Sequence, residues 1–169
     1  VRPSGTIRNE KIRDKAMSDI KIPESMPKWM ADHMRRYLDS NGADGHLWDS
    51  APVGGPGPLP TLLLSTKGRR SGETQTLPLL YGKTPTGYVI IASKGGAPKH
   101  PGWYLNLVDE PKVRLMVGPE KLNAVARLAT AEERPGLWAQ MASMYPPFTD
   151  YQAKTERQIP VVVLERTDA

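Results

Sequence analysis

Two alternating segments joined by a Gly-Pro turn constrain this chain most. In Lys112–Val117, the apolar residues Val113, Leu115 and Val117 fall on one face. In Glu120–Leu128, Leu122, Ala124, Ala126 and Leu128 do the same, with Gly118-Pro119 between the two arms. A period of two marks half-buried strands, and so short a connection makes them antiparallel neighbours. Thr61–Thr66, Thr74–Tyr81, Gly87–Lys94 and Ile159–Leu164 also read as strands, the last being almost entirely β-branched. About six strands with few helices predict a mainly β (α+β) fold, a small antiparallel barrel with helices packed outside it.

Two helices are legible around this sheet. Pro27 opens one that runs to about Ser40, with Met26, Trp29, Met30, His33, Met34, Tyr37 and Leu38 on one side and Asn41-Gly42 at its end. Lys28, Arg35 and Arg36 flank that apolar side, so Met26–Ser40 suits packing on the barrel and leaves a peripheral membrane contact open. The second helix follows the capping box Thr130-Ala131-Glu132-Glu133, carries Leu137, Trp138, Met141 and Tyr145, and stops at Pro146-Pro147. The stretch from Ala51 to Pro60, with four prolines and three glycines, reads as an extended linker. Three parts are therefore expected: a disordered extension over 1–24, with Met17 as a candidate start; the helix and linker over 25–58; and a barrel domain over 59–169.

Composition narrows the chemistry. The 169 residues include no cysteine, which excludes disulfides and thiolate metal sites and makes a reducing cytoplasm the simplest location. His33, His46 and His100 lack metal-ligand spacing, so no metal is expected. A net charge of +5 favours an anionic partner. Nucleic acid is disfavoured, because no strand carries a basic-aromatic stacking array.

The segment from Ala92 to Leu107 concentrates the functional signals. A buried strand ends at Ala92, Gly95-Gly96 permits a tight turn and close approach of a ligand, and Pro101 suits a helix start. A helix N-terminus beside Lys94 and Lys99 is a site for an anion. Lys67, Arg69 and Arg70 follow the first barrel strand and offer further cationic donors. Gly68–Gly72 is not a P-loop, since the glycine spacing and the following Lys-Ser/Thr are absent. Read alone, all these cations are equally at home as solvated surface charges.

The ordered combination of Leu64–Gly72, Pro78-Leu79-Leu80-Tyr81, the Ala92–Leu107 stretch, Met144–Gln152 and Arg157–Val163 closely resembles the deazaflavin-dependent nitroreductase family of actinobacteria. The resemblance covers roughly Leu59 to Glu165. It implies a split β-barrel related to flavin-binding reductases, coenzyme F420 as hydride donor, and a quinone, activated alkene (enone) or nitroaromatic acceptor. F420 is an apolar tricycle with a phosphate and an oligoglutamate tail. The resemblance thus assigns Lys67, Arg69, Arg70, Lys94 and Lys99 to its anionic part, with Pro78, Ser93, Gly95 and Trp103 beside the ring. Ser93 also reads as a strand end, and Trp103 as a core residue.

Tyr145 and Tyr151 match family tyrosines over the substrate pocket, where either could hydrogen-bond the acceptor or donate a proton; Ser93 joins them as a candidate catalytic group. The alternative for the tyrosines is packing at a helix end. Leu80 and Phe148 stand where some relatives carry tyrosine, which makes the expected pocket wall more apolar. The competing functions are a reductase using flavin mononucleotide (FMN) on a similar barrel and a non-catalytic deazaflavin carrier.

Overall fold

The computed structural model describes residues 20–167. Met17 and most of the 1–24 extension lie outside the described residues. The elements run α1 (Lys28–Asp39), β1 (Leu47–Asp49), β2 (Pro58–Lys67), β3 (Thr74–Leu80), β4 (Gly82–Thr84), β5 (Gly87–Ile91), α2 (Gly102–Asp109), β6 (Lys112–Val117), β7 (Glu120–Leu128), α3 (Arg134–Met144), α4 (Pro147–Ala153) and β8 (Val161–Arg166). Every strand pairing is antiparallel. The eight-stranded sheet runs β1-β2-β6-β7-β8-β5-β4, with β3 paired to β2. It curls into a split β-barrel, the expected fold class.

Strand parity explains what covers each face. Leu62 and Leu64 of β2, Ile90 of β5, Leu115 of β6 and Val162 and Leu164 of β8 point into one core together with Trp103 and Leu107 of α2. The residues between them face outward into two other clusters. Leu63 and Met116 meet Met34 and Tyr37 of α1. Val89, Ile91 and Val161 meet Met141, Tyr145 and Phe148 of α3 and α4. Fully burying each such side chain stabilises the fold by roughly 1.5–3 kcal/mol. Sheets covered on both faces explain why β2, β5 and β8 read as continuous apolar runs, whereas β6 and β7 alternate.

The amphipathic helix α1 packs on the barrel. Met34 and Tyr37 are fully buried, and Ile20, Ile22, Met26 and Leu38 lie against the same cluster. Its end is tied to the β6–β7 turn: the Tyr37 hydroxyl accepts from the Gly118 N–H at 2.7 Å. Gly42, at φ +86°, lies so close that a Cβ there would collide with the Gly118 carbonyl.

Four local expectations change. The proposed linker contains a 3₁₀ turn at Ala51–Val53. Its last residues begin β2, where Pro58–Pro60 pair with β1, a strand too short to show periodicity. The strand expected over Gly87–Lys94 ends at Ile91, and Lys94–Gly96 forms a 3₁₀ turn. The proline pair after α3 is a junction rather than a stop: Pro147 opens α4, because a proline in the first helical turn forfeits no hydrogen bond. Pro78 is tolerated inside β3 because the only described pairing of that strand is with β2, which makes it an edge.

Candidate functional site

α1, β1, β3, the end of β5, the 92–102 loop and the α3–α4 junction converge on one cavity of about 390 Å³, well within the range of small-molecule sites. Its walls are largely apolar. Pro78 and Leu80 come from β3, Trp103 from α2, and Phe148, Tyr145 and Tyr151 from the α3–α4 region. Ser93, Lys94 and Gly95 line it from the loop after β5. The cavity therefore gathers nine of the residues expected from sequence.

A second, cationic depression of about 560 Å³ adjoins this cavity. Arg69, Arg70, Lys94 and Lys99 line it, and Lys94 and Gly102 belong to both. Among the described residues, no carboxylate forms an ion pair with any of these four cations. Arg69 is held in place by Asn106, whose buried Oδ1 accepts from the Arg69 backbone N–H at 3.2 Å and from Nη1 at 2.9 Å. The Asn106 amide is itself fixed by donating to Thr66 Oγ1 and Gln75 Oε1, at 3.2 and 2.9 Å. Lys67, at the exposed end of β2, lines neither the cavity nor the groove.

The loop conformation sets this junction. Gly95 lies at φ +62° and Gly96 at φ +81°. Gly96 packs so closely on α4 that an added Cβ would sit 2.6 Å from the Tyr151 carbonyl oxygen. Gly95 has open space around it and faces the cavity. Ser93 is buried at the start of the turn.

A tyrosine pair lines the cavity from the α3–α4 region. Tyr145 Oη and Tyr151 Oη are 2.9 Å apart. One hydroxyl donates to the other, which leaves a single O–H free for a third group. Burial, then the contact with Tyr151, holds the Tyr145 hydroxyl above the ordinary phenol range, so it is protonated at neutral pH. Phe148 packs edge-on against Tyr145, with ring centroids 4.8 Å apart.

Several lining residues were not legible as site residues. Trp29 of α1 stacks on Trp48 of β1 at 6.0 Å, and Trp48 tilts against Tyr145 at 6.5 Å. These rings, with Met30 and His33, wall the cavity from α1 and β1. The spacing in α1 predicted an apolar face but not that its first turns would reach a ligand cavity. His100 and Arg157 complete the cationic groove. Arg157 stands at the head of a recognised motif, yet only the folded loop gives it neighbours.

A largely apolar slot opening onto a cationic groove fits a flat tricycle carrying an anionic tail. The comparisons agree. The F420H2-dependent quinone reductase family model matches residues 29–166. An F420H2-dependent quinone reductase of Mycobacterium tuberculosis is 38% identical over 140 residues, covering 79% of this chain and 87% of the relative. A solved F420-H2 dependent reductase is 40% identical, covers 62% of this chain and 93% of that one, and superposes with a TM-score of 0.58. A solved domain-swapped dimer is 36% identical, covering 81% and 97%, with a TM-score of 0.61. The match across α1 and the whole barrel, together with the cavity and its cationic groove, makes this chain a member of the F420H2-dependent quinone reductase family, oxidoreductases that use coenzyme F420.

Proposed function

We propose that the apolar cavity holds the deazaflavin ring together with a flat quinone, and that the adjoining groove holds the phosphate and oligoglutamate tail. The observation that carries this reading is the shared rim at Lys94 and Gly102, where an apolar slot meets Arg69, Arg70, Lys94 and Lys99, which form no ion pair among the described residues. Bound in its reduced form, F420 supplies a hydride. The protein's part is to bind, orient and supply a proton. Arg69, Arg70, Lys94 and Lys99 grip the tail. Pro78, Trp103 and the Gly95 backbone flank the ring, and Ser93 offers a hydroxyl at its edge. The single free O–H of the Tyr145–Tyr151 pair donates to the acceptor oxygen, because a protonated phenol has a proton to give and cannot act as a base. Leu80 and Phe148 form the wall against which the acceptor stacks.

Parallel titrations with F420 and FMN, followed by turnover with menadione, test this. F420 is expected to bind far more tightly, and menadione to be reduced. Equal or inverted affinities would sink the cofactor assignment, and binding without turnover would leave a carrier.

A second reading concerns where the quinone comes from. No described helix is long and apolar enough to cross a membrane. The buried face of α1 serves the barrel, but Trp29 is 55% exposed, Leu47 59% and Val53 51%, and Trp29 lines the cavity. We propose that these exposed apolar side chains contact a membrane surface peripherally and that the Trp29 side of the cavity admits a lipid-soluble quinone. Vesicle co-sedimentation of wild type and W29S decides it: equal binding by both, or by neither, removes the membrane role.

A further inference from the structure

We infer that Arg157 is a positioning residue for the deazaflavin: its guanidinium clamps the 92–100 loop in the shape that presents Ser93, Lys94 and Gly95 to the cavity. This rests on the assignment of the cavity to F420. Arg157 Nε donates to the Ala97 carbonyl at 2.8 Å, Nη2 to the Ser93 carbonyl at 2.7 Å and Nη1 to the Ala92 carbonyl at 3.3 Å. Nη1 also meets His100 Nδ1 at 3.1 Å. A guanidinium has no acceptor, so Nδ1 accepts and the His100 proton sits on Nε2. One side chain thus ties together the start, the turn and the end of the loop. Burial, then the nearby guanidinium charge, holds His100 below its ordinary pKa, in keeping with that neutral form.

The loop needs such a clamp. Lys94 has φ +45°, one of two non-glycine residues in the left-handed region among those described. A lysine there is strained, and the conformation persists only where its surroundings over-determine it. The turn's own bonds are few: Gly96 N–H to the Ser93 carbonyl at 2.9 Å and Ala97 N–H to the Lys94 carbonyl at 3.1 Å. Arg157 adds the contacts that fix both flanks. Its own backbone is fixed in turn, since Gln152 donates to the Arg157 carbonyl at 2.8 Å and accepts from the Ile159 N–H at 2.9 Å. Gln152 lies on α4 beside Tyr151, so the same residues join the acceptor wall to the cofactor loop.

Arg157 also lines the cationic groove, so its role as a plain charge must be separated from its role as a clamp. The test uses R157K, which keeps the charge but not the fork of donors, with R157Q and H100A. Two ligands are titrated: F420 and the neutral deazaflavin riboside that lacks phosphate and tail. Amide exchange is measured on the ligand-free proteins. A clamp predicts that R157K weakens both ligands about tenfold or more, with faster exchange at residues 94–97 and a smaller increase in H100A. If R157Q does not fold, R157K and H100A carry the result. Wild-type affinity and exchange in R157K overturn the inference. So does a loss confined to F420 that R157K restores, which makes Arg157 a charge alone. If wild type binds neither deazaflavin, the cofactor reading falls, and the exchange data still judge the clamp.

Discussion

The hydroxyls of Tyr145 and Tyr151 lie 2.9 Å apart, and both residues line the largely apolar cavity. Because the two share one internal hydrogen bond, either tyrosine alone still has an O–H to present to an acceptor. Y145F and Y151F should each lower kcat for menadione by about tenfold or less. The double variant should lose on the order of a hundredfold or more, within the usual range for a general acid. F420 affinity should hold in all three. Full losses in either single variant would assign the proton to that residue and not to the pair.

Neutralising the groove cations should weaken binding and spare chemistry. A charge-assisted hydrogen bond contributes about 1.5–3 kcal/mol, so R70Q, K94Q and K99Q should each raise the F420 Kd roughly ten- to a hundredfold. R69Q should do so too and also take from the buried Asn106 carboxamide oxygen its guanidinium donor, leaving the backbone N–H of residue 69. K67Q, at the exposed strand end, should leave affinity within about twofold, since exposed charges away from a partner contribute little. Titration of the five variants at two salt concentrations checks the pattern; a groove of exposed cations loses grip as salt rises.

The Tyr37 hydroxyl joins three elements. Its one proton is shared between the Thr61 and Met116 carbonyls, at 3.0 and 3.1 Å, and its oxygen accepts from Gly118 N–H at 2.7 Å. Y37F keeps the ring and strands those groups in a buried site, at a cost of about 1–3 kcal/mol. Urea unfolding at neutral pH measures it. The α1 wall of the cavity should loosen with it, so the KM for menadione should rise before kcat falls.

The legible parts of this molecule were those whose signal is local. The β6–β7 hairpin ends where the alternation and Gly118-Pro119 put them, and the Thr130–Glu133 box forms both of its reciprocal bonds, at 2.9 and 3.1 Å. The motif residues from Pro78 to Tyr151 line one cavity although they come from β3, the loop after β5, the start of α2 and the α3–α4 region. What was hidden depends on distant partners. β1 is strand only because Pro58–Pro60 lie beside it. Trp48 becomes a cavity wall only because Trp29 stacks on it and Tyr145 packs against it at a tilt. Arg157 acts on carbonyls some sixty residues away, and a carbonyl carries no side-chain signature in sequence.

Glu133 sets an acid-side expectation. The Arg127 guanidinium, 2.7 Å away, and then the Thr130 N–H hold its carboxyl down to about 2. A folded-state pKa below the unfolded one, about 4.3, stabilises the fold at higher pH. That stabilisation is complete above the unfolded value and is lost as pH falls through about 2. The difference in Tm between wild type and E133Q should therefore be constant from neutral pH to about 5, then shrink and vanish near pH 2. A difference that persists at the acid end would mean that hydrogen-bond shape, and not charge, holds the start of α3.

Acceptor choice should turn on Phe148. Its ring packs edge-on against Tyr145 at 4.8 Å and against Tyr151 at 6.3 Å, and it lines the same cavity as the pair. With Leu80 also lining the cavity, the wild-type wall offers a flat quinone or activated alkene a stacking surface, and a bulky bicyclic nitroimidazole little to hold its polar end. Misplacing a reacting atom by about 1 Å costs on the order of a hundredfold, so such a ring should bind yet react poorly. F148Y supplies the missing donor. It should raise kcat/KM for the nitroimidazole by about tenfold, the worth of one neutral hydrogen bond, and change that for menadione by less than about threefold. The quantity to measure is the ratio of the two kcat/KM values in wild type and variant. Efficient nitroimidazole reduction by wild type, or an unmoved ratio in F148Y, would locate acceptor selection elsewhere, with the Trp29–Trp48 stack the next wall to alter.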